Sequence, residues 1–325
     1  MTNQTSPGDV RTTGPQTPDR PLALSLRGLT KRYGDRAAVE RLTLDVPAGV
    51  VAGFVGPNGA GKTTTMAMLL GLVTPSEGTG TVLGGPLDDP ASYLGAVGAL
   101  IEGPAFYPAL SGRQNLAVLA AAGGHDPTQI PDLLELVELS ERADDRVRGY
   151  SFGMKQRLGI AAALIGDPRL LILDEPINGL DPAGVHEMRG LIGRLASGER
   201  TVLVSSHVLA ELEQVCDWLI VIDDGRLVFQ GPAAELLDRS DASLVVAPEH
   251  PGDLDRLHDL LSAAGYGSRT GEDHLVIAVN GDDPRGLAAA VNRAAGDGGI
   301  VLAELHVART SLEERYLTMM NGENR

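Results

Sequence analysis

The segment Gly56-Pro-Asn-Gly-Ala-Gly-Lys-Thr63 decides the fold of this chain. It fits the pattern G-x-x-x-x-G-K-[ST] at every fixed position, between a short apolar run, Val50–Val55, and the helically spaced Thr64–Leu72. Glycines let the loop turn so tightly that successive backbone N–H groups point inward, and a helix N-terminus adds positive potential. The order of strand, glycine-rich loop and helix therefore predicts a cradle for nucleotide phosphates.

Every residue of this loop, with the one that follows it, is a candidate for contact with the nucleotide. We expect Lys62 to reach the β- and γ-phosphates and the hydroxyl of Thr63 to bind Mg²⁺. The alternative is a glycine-rich turn that happens to precede a helix, and the strand before the loop argues against it. The predicted phosphate-binding residues are Gly56, Pro57, Asn58, Gly59, Ala60, Gly61, Lys62, Thr63 and Thr64.

An acidic pair follows a second apolar strand. Leu170–Leu173 leads directly into Asp174 and Glu175, which places Asp174 to bind Mg²⁺ and Glu175 to polarise an attacking water. A helical pattern over Ala183–Leu195 and a further strand, Thr201–Val204, come next. This alternation is typical of a parallel sheet and predicts an α/β fold.

Four further segments make the chain resemble the ATP-binding subunits of ABC transporters. Tyr150-Ser151-Phe152-Gly153-Met154-Lys155-Gln156-Arg157 is similar to the family's signature motif, and Ile177-Asn178-Gly179-Leu180-Asp181-Pro182 is similar to its D-loop. Ser205-Ser206-His207 resembles its switch-histidine segment. Tyr33 stands 23 residues before the loop, where the family has an aromatic residue that stacks on adenine.

The resemblance covers roughly Leu22 to Pro232 and implies both a fold and an activity. The fold would be a P-loop NTPase of the ABC ATPase type with a helical signature subdomain. The cofactors would be ATP and Mg²⁺, and Lys62, Glu175 and His207 would be the catalytic residues. Two subunits would meet head to tail in a homodimer or a pseudo-symmetric dimer, so three residues of one would act in trans on nucleotide held by the other: Ser151, Gly153 and Asp181.

A partner and a location also follow from the resemblance. The dimer would power a separate polytopic membrane permease, and the chain would be cytoplasmic and peripheral on the inner face of the cell membrane. An importer subunit and a cytosolic ABC ATPase without a permease remain the alternatives. Pro104–Leu116 either receives a coupling helix of the permease or is internal to the helical subdomain.

Four positions, in three segments, depart from the family pattern. Phe152 and Met154 replace the usual Gly and Gln of the signature, and Ile177 replaces a small polar residue. Glu102 stands where the family usually has a glutamine, and we expect its carboxylate to meet Mg²⁺ or the attacking water. Together these features resemble the branch that serves bacitracin, lantibiotic and daunorubicin-type exporters, which implies export of a drug, a peptide antibiotic or a lipid-like compound.

Composition excludes several other functions. The chain has 325 residues with 27 Lys and Arg against 43 Asp and Glu, a net charge of −16, so we expect no nucleic-acid partner. Its single cysteine, Cys216, excludes an intramolecular disulfide and favours a reducing compartment. No apolar run approaches the roughly 18 residues of a membrane span, so another chain would supply the membrane part.

The sequence divides into three regions. Residues 1–20 read as a disordered tail, 21–239 as the ABC ATP-binding domain and 240–325 as a small α+β accessory domain. The accessory domain shows no chemical motif, and its predicted elements alternate between strand and helix. They are the strands Leu244–Ala247, Leu275–Val279 and Ile300–His306, and the helices Leu254–Ala264, Arg285–Ala295 and Ser311–Met320.

Overall fold

The structure is a computed structural model that describes residues 20–196, 200–238, 243–271, 273–279 and 283–308. The chain divides into two compact units, Met1–Ala233 and Ala234–Arg325. The predicted tail, except Arg20, the residues around position 240 and the predicted helix Ser311–Met320 lie outside the described residues.

The first unit begins with an antiparallel sheet in the order β2-β1-β4-β5. Along β1 the side chains of Leu24 and Leu26 are buried, because the alternation of the strand turns them toward the same core. Leu29 joins that core because the strand shifts its register between Leu26 and Leu29. The strands are β1 Leu22–Tyr33, β2 Arg36–Pro47, β4 Glu77–Val82 and β5 Gly85–Pro86.

A second, six-stranded sheet contains the segments that carry the chemistry. Its order is β10-β9-β3-β8-β7-β6, in which only the edge strand β10 is antiparallel to its neighbour. All residues of β3, β7 and β8 are buried, as expected for strands covered on both faces. The strands are β3 Val51–Val55, β6 Val97–Leu100, β7 Leu170–Leu173, β8 Thr201–Ser206, β9 Trp218–Asp223 and β10 Arg226–Pro232.

Parallel strands bring their carboxyl ends to one edge of the sheet, and this arrangement creates the site. The glycine-rich loop follows β3, Asp174 follows β7 and His207 follows β8. Because β3 pairs with β8 and β8 pairs with β7, three segments far apart in the chain become neighbours.

The helices of the first unit include a group of three inserted between β6 and β7. This insertion confirms the predicted helical subdomain, and Ser111 begins it with a capping box closed by Gln114. The helices are α1 Lys62–Leu69, α2 Gly112–Gly123, α3 Ile130–Leu136, α4 Phe152–Ala163, α5 Pro182–Leu195 and α6 Leu209–Leu212, and α7 Ala233–Asp238 follows β10.

The second unit is the α+β fold that the sequence predicts. Its elements are β11 Ser243–Pro248, α8 Leu254–Ala263, β12 Ser268–Thr270, β13 Leu275–Ala278, α9 Pro284–Asp297 and β14 Leu302–Ala308. The antiparallel order β12-β13-β11-β14 with this succession of elements is a ferredoxin-like topology. Leu257 and Val291, from the two helices, pack against Leu244 and Ile277 of the sheet.

Two further predictions concern Cys216 and membrane spans. Cys216 is buried, and burial raises the pKa of its thiol to about 12, which agrees with a packing role. Within the described ranges, no helix combines the length and the apolar character that crossing a membrane requires.

The contact between β6 and α4 yields a test of the fold. A Cβ atom at Gly98 would lie 1.8 Å from the backbone oxygen of Ala163, whereas one at Gly95 would meet nothing within 4 Å. Because backbone cannot yield as a flexible side chain can, we expect Gly98→Ala to lower the free energy of unfolding by about 1–3 kcal/mol. Thermal unfolding followed by circular dichroism should show a lower Tm for Gly98→Ala, with Gly95→Ala near wild type. Equal Tm values would contradict this packing.

Candidate nucleotide-binding site

A cavity of about 540 Å³ opens at the edge where the parallel strands end. Its lining combines an aromatic ring, the glycine-rich loop and a carboxylate. Its lining residues are Tyr33, Arg36, Ala38, Asn58, Gly59, Gly61, Lys62, Thr63, Thr64, Glu175 and Asn178. The volume and the presence of an aromatic ring beside the glycine-rich loop suit a nucleoside phosphate.

The loop has its shape because two glycines approach other backbone segments closely. Gly61 has φ +99°, and a Cβ atom there would lie 2.4 Å from the backbone oxygen of Ala38. A Cβ atom at Gly56 would lie 2.3 Å from the backbone oxygen of Ile222. Because Gly61 is the N-cap, helix α1 begins at Lys62 and directs the free N–H groups of its first turn into the cradle.

Lys62 is a buried cation that already has partners. Its side chain is 6% exposed, and Nζ donates to the backbone oxygens of Gly56 at 2.7 Å and Pro57 at 3.3 Å. Nζ also lies 3.3 Å from Oε1 of Glu175. An ammonium group withdrawn from water needs such acceptors, and a phosphate could replace one of them.

Asp174 joins two of the segments that meet at this edge. Its Oδ2 accepts a hydrogen bond from the hydroxyl of Thr63 at 2.8 Å, and its Oδ1 accepts one from the hydroxyl of Ser205 at 2.6 Å. The backbone N–H of Asp174 donates to the oxygen of Leu100 at 2.8 Å. A carboxylate beside a hydroxyl supplies the oxygen ligands that Mg²⁺ prefers, so these residues fit that ion.

Glu175 is held on three sides. Its backbone has φ +49°, a left-handed conformation that is uncommon outside glycine, and its N–H donates to Ser205 Oγ at 2.8 Å. One carboxylate oxygen faces Lys62, and the other lies 2.6 Å from Nδ1 of His207. The carboxylate is therefore fixed in the lining of the cavity, where it could receive a proton from water.

Tyr33 contributes an exposed aromatic ring to the lining of the cavity. Its side chain is 54% exposed, and the Nζ of Lys31 lies 5.1 Å from the centroid of its ring. Lys31 also donates to the backbone oxygen of Thr74 at 2.8 Å. The cation sits over the ring at a distance typical of a cation–π contact, and the exposed ring is available for stacking.

Three residues predicted to act in trans gather in a separate cavity of about 620 Å³. Ser151, Gly153 and Asp181 all line it, together with Phe152. Ser151 Oγ caps helix α4 by accepting from the N–H of Met154 at 3.2 Å, and Asp181 Oδ1 caps helix α5 by accepting from Gly184 at 2.8 Å. Two helix N-termini therefore border this cavity.

An arginine fixes the helix that follows Ser151. Arg157 donates to Glu138 Oε2 at 2.6 Å and also contacts the carboxylate of Glu187 on helix α5. These bonds tie α4 to its neighbouring helices, and the hydrogen bond from Arg157 lowers the pKa of Glu138.

Glu102 is a predicted site residue that lines neither cavity. Its side chain is exposed, it has φ +57°, and no described residue forms a hydrogen bond or ion pair with it. Gly56, Pro57 and Ala60 shape the loop without lining the cavity, while His207 reaches the site through Glu175.

Sequence reasoning missed four residues of the site: Arg36, Ala38, Asn178 and Ser205. Arg36 follows Tyr33 by three residues at the start of β2, and Asn178 lies inside the D-loop segment. Because Arg36 and Asn178 each stand close to a residue or motif that was recognised, their positions in the sequence could have identified them. Ser205 had only the signal of standing at the end of a buried strand beside His207.

Comparisons with known proteins agree with this geometry. A family model described as "ABC transporter" matches residues 39–178. The Nod factor export ATP-binding protein I of Cupriavidus metallidurans is 38% identical over 307 residues, which cover 93% of this chain and 98% of that protein. The bacitracin transport ATP-binding protein BcrA of Enterococcus faecalis is 43% identical over 220 residues, covering 67% of this chain and 71% of that protein.

A solved structure shows the same fold. An ATP binding subunit of an ABC transporter matches this chain with a TM-score of 0.59 and 30% sequence identity, over 67% of this chain and 92% of that one.

The lysines allow a direct test of the cradle. Because Lys62 places a buried charge in the lining of the cavity, we expect Lys62→Ala to weaken ADP binding by about 10- to 100-fold, the size of a lost charged hydrogen bond. Isothermal titration calorimetry measures the Kd. Lys155→Ala is the control, since Lys155 lines neither cavity. Unchanged ADP affinity in Lys62→Ala would contradict the cradle.

Proposed function

Since the chain belongs to the ABC transporter family of ATP-binding proteins, which are ATPases, we propose that it hydrolyses ATP to drive a separate membrane permease. The observation that carries this proposal is the convergence of Lys62, Glu175 and His207 at the end of the nucleotide-sized cavity.

The nucleotide would lie along the cavity from the aromatic ring to the carboxylate. Tyr33 would stack on adenine, and the loop N–H groups with Lys62 would hold the phosphates. Thr63 and Asp174 would hold Mg²⁺, which neutralises part of the phosphate charge when bound.

Glu175 is the proposed general base. Its carboxylate would orient a water for attack on the γ-phosphorus, in line with the bond to the leaving ADP, and would accept the proton of that water. Lys62 would stabilise the charge that develops on the γ-phosphate. His207, paired with Glu175, would fix the direction of the carboxylate and sense the γ-phosphate.

The second cavity supports a head-to-tail dimer. Ser151 and Gly153 stand at the N-terminus of helix α4, where N–H groups and the helix dipole favour an anion. Because the first cavity already supplies a complete phosphate cradle, we propose that the second cavity contacts the γ-phosphate held by a partner subunit. Asp181 would contact the same partner. ATP would then close two subunits around two nucleotides, and hydrolysis would separate them.

The transported compound would be exported through the permease, and the chain would lie on the cytoplasmic face of the membrane. This proposal rests on relatives named for bacitracin transport and Nod factor export. A drug, a peptide antibiotic or a lipid-like compound is the proposed class of cargo.

Glu102 is retained as a proposed nucleotide-binding residue. It lies two residues after Leu100, whose backbone oxygen accepts the N–H of Asp174, so the backbone on which it stands adjoins the proposed Mg²⁺ ligand. We expect Glu102→Gln to shift by several-fold the Mg²⁺ concentration that gives half-maximal hydrolysis, because it removes one charge there. A coupled-enzyme assay across a Mg²⁺ series measures this shift. An unchanged Mg²⁺ curve would remove Glu102 from the site.

Replacing the base separates binding from hydrolysis. Glu175→Gln keeps the size of the side chain but cannot accept a proton, so we expect ATP to bind, turnover to fall at least 100-fold and a closed dimer to accumulate. Phosphate release measures turnover, and light scattering after size exclusion with ATP measures the dimer.

Glu141→Gln serves as the control, since Glu141 is exposed and lines neither cavity. It should hydrolyse ATP at the wild-type rate. Turnover near wild type in Glu175→Gln would contradict the role of Glu175.

A further inference from the structure

Ser205 is the penultimate residue of the buried strand β8, and its hydroxyl contacts both acidic residues of the site. It is 1% exposed, and its Oγ donates to Asp174 Oδ1 at 2.6 Å while it accepts from the backbone N–H of Glu175 at 2.8 Å. A hydroxyl has one hydrogen to donate, and here that hydrogen goes to the carboxylate.

The carboxylate of Asp174 accepts two hydrogen bonds, and the one from Ser205 differs in kind from the one from Thr63. Thr63 also donates to Asp174, but Thr63 is itself a proposed Mg²⁺ ligand. Ser205 is not a ligand in that proposal. Its bond can therefore hold the orientation of the carboxylate independently of what Thr63 does.

The contact with Glu175 acts on the backbone. A left-handed φ of +49° is unfavourable for a glutamate and persists only where the surroundings hold it. Ser205 accepts the N–H of that residue, which keeps the peptide in place. The same conformation directs the Glu175 side chain toward Lys62 and His207.

We propose that Ser205 is a positioning residue that locks Asp174 and Glu175 to the end of β8 and so sets both the Mg²⁺ contribution to nucleotide binding and the turnover rate. This inference rests on the proposed function, because it assigns Ser205 to the ATPase site described above.

The neighbouring serine provides a matched control. Ser206 is also buried in β8, but its hydroxyl contacts Val208 N at 2.9 Å, Val208 O at 3.1 Å and Glu211 Oε2 at 2.8 Å. It therefore serves the turn into helix α6. A general loss of strand stability would affect both positions alike, whereas positioning of the acidic pair would depend on Ser205 alone.

Calorimetry with ADP tests the Mg²⁺ contribution without hydrolysis. The ratio of the Kd without Mg²⁺ to the Kd with Mg²⁺ should fall about tenfold in Ser205→Ala, as when a bond that orients a metal ligand is removed. The Kd without Mg²⁺ should stay within about twofold of wild type, since the phosphate cradle is unchanged. Ser206→Ala should keep the wild-type ratio.

Two further substitutions guard against a folding defect. Ser205→Cys keeps the size of the side chain but forms only weak hydrogen bonds, so it should repeat the loss. Ser205→Thr keeps the hydroxyl and should restore the ratio. In ATPase assays at saturating Mg²⁺, Ser205→Ala and Ser205→Cys should lower kcat about tenfold or more while KM returns toward wild type, because added Mg²⁺ cannot redirect Glu175.

Two results would contradict the proposed role of Ser205. If the wild-type protein binds ADP with the same Kd in the presence and absence of Mg²⁺, both the proposed Mg²⁺ site and the proposed role of Ser205 are contradicted. A Mg²⁺-dependent wild type, with Ser205→Cys equal to Ser206→Ala in both ratio and kcat, would overturn the role of Ser205 and leave the ATPase proposal intact.

Discussion

The carboxylate of Asp174 is the point on which the rest of the site depends. It accepts hydrogen bonds from Thr63, at the start of the helix after β3, and from Ser205, at the end of β8. Since Asp174 directly follows β7, this one side chain ties together the ends of three parallel strands. The fully buried strands fix those ends at one edge, and the polar groups of the site then lie within hydrogen-bond distance of one another.

A second constraint is the pairing of buried charge. Lys62 is almost fully withdrawn from solvent, and its three donors face two loop carbonyls and Glu175. Glu175 in turn lies between Lys62 and His207. A charge without such partners would be costly in this environment, so the cradle holds its shape through internal bonds that phosphate oxygens can replace.

The parts of the molecule that sequence reasoning predicts are those in which a motif and a strand pattern coincide. The loop from Gly56 to Thr63, the strand before Asp174 and the helices around the signature segment all satisfy this condition, and the predicted fold class is confirmed by relatives and solved structures. The strands β4, β5 and β6 were not predicted, because Glu77–Val82 alternates glycine with polar residues and the other two strands are only 2 and 4 residues long.

Boundaries shifted where backbone geometry overrode hydrophobic spacing. Helix α1 begins at Lys62 rather than Thr64, because Gly61 caps it, and it ends at Leu69 before Gly71 takes φ +68°. Ser205 could not have been assigned from sequence, since its importance lies in two contacts across the sheet.

The most direct test of the transporter proposal is capture of the tagged chain from detergent-solubilised native membranes, followed by mass spectrometry and an ATPase assay. We predict a stoichiometric polytopic partner; soluble partners alone, with ATPase activity retained, would contradict it.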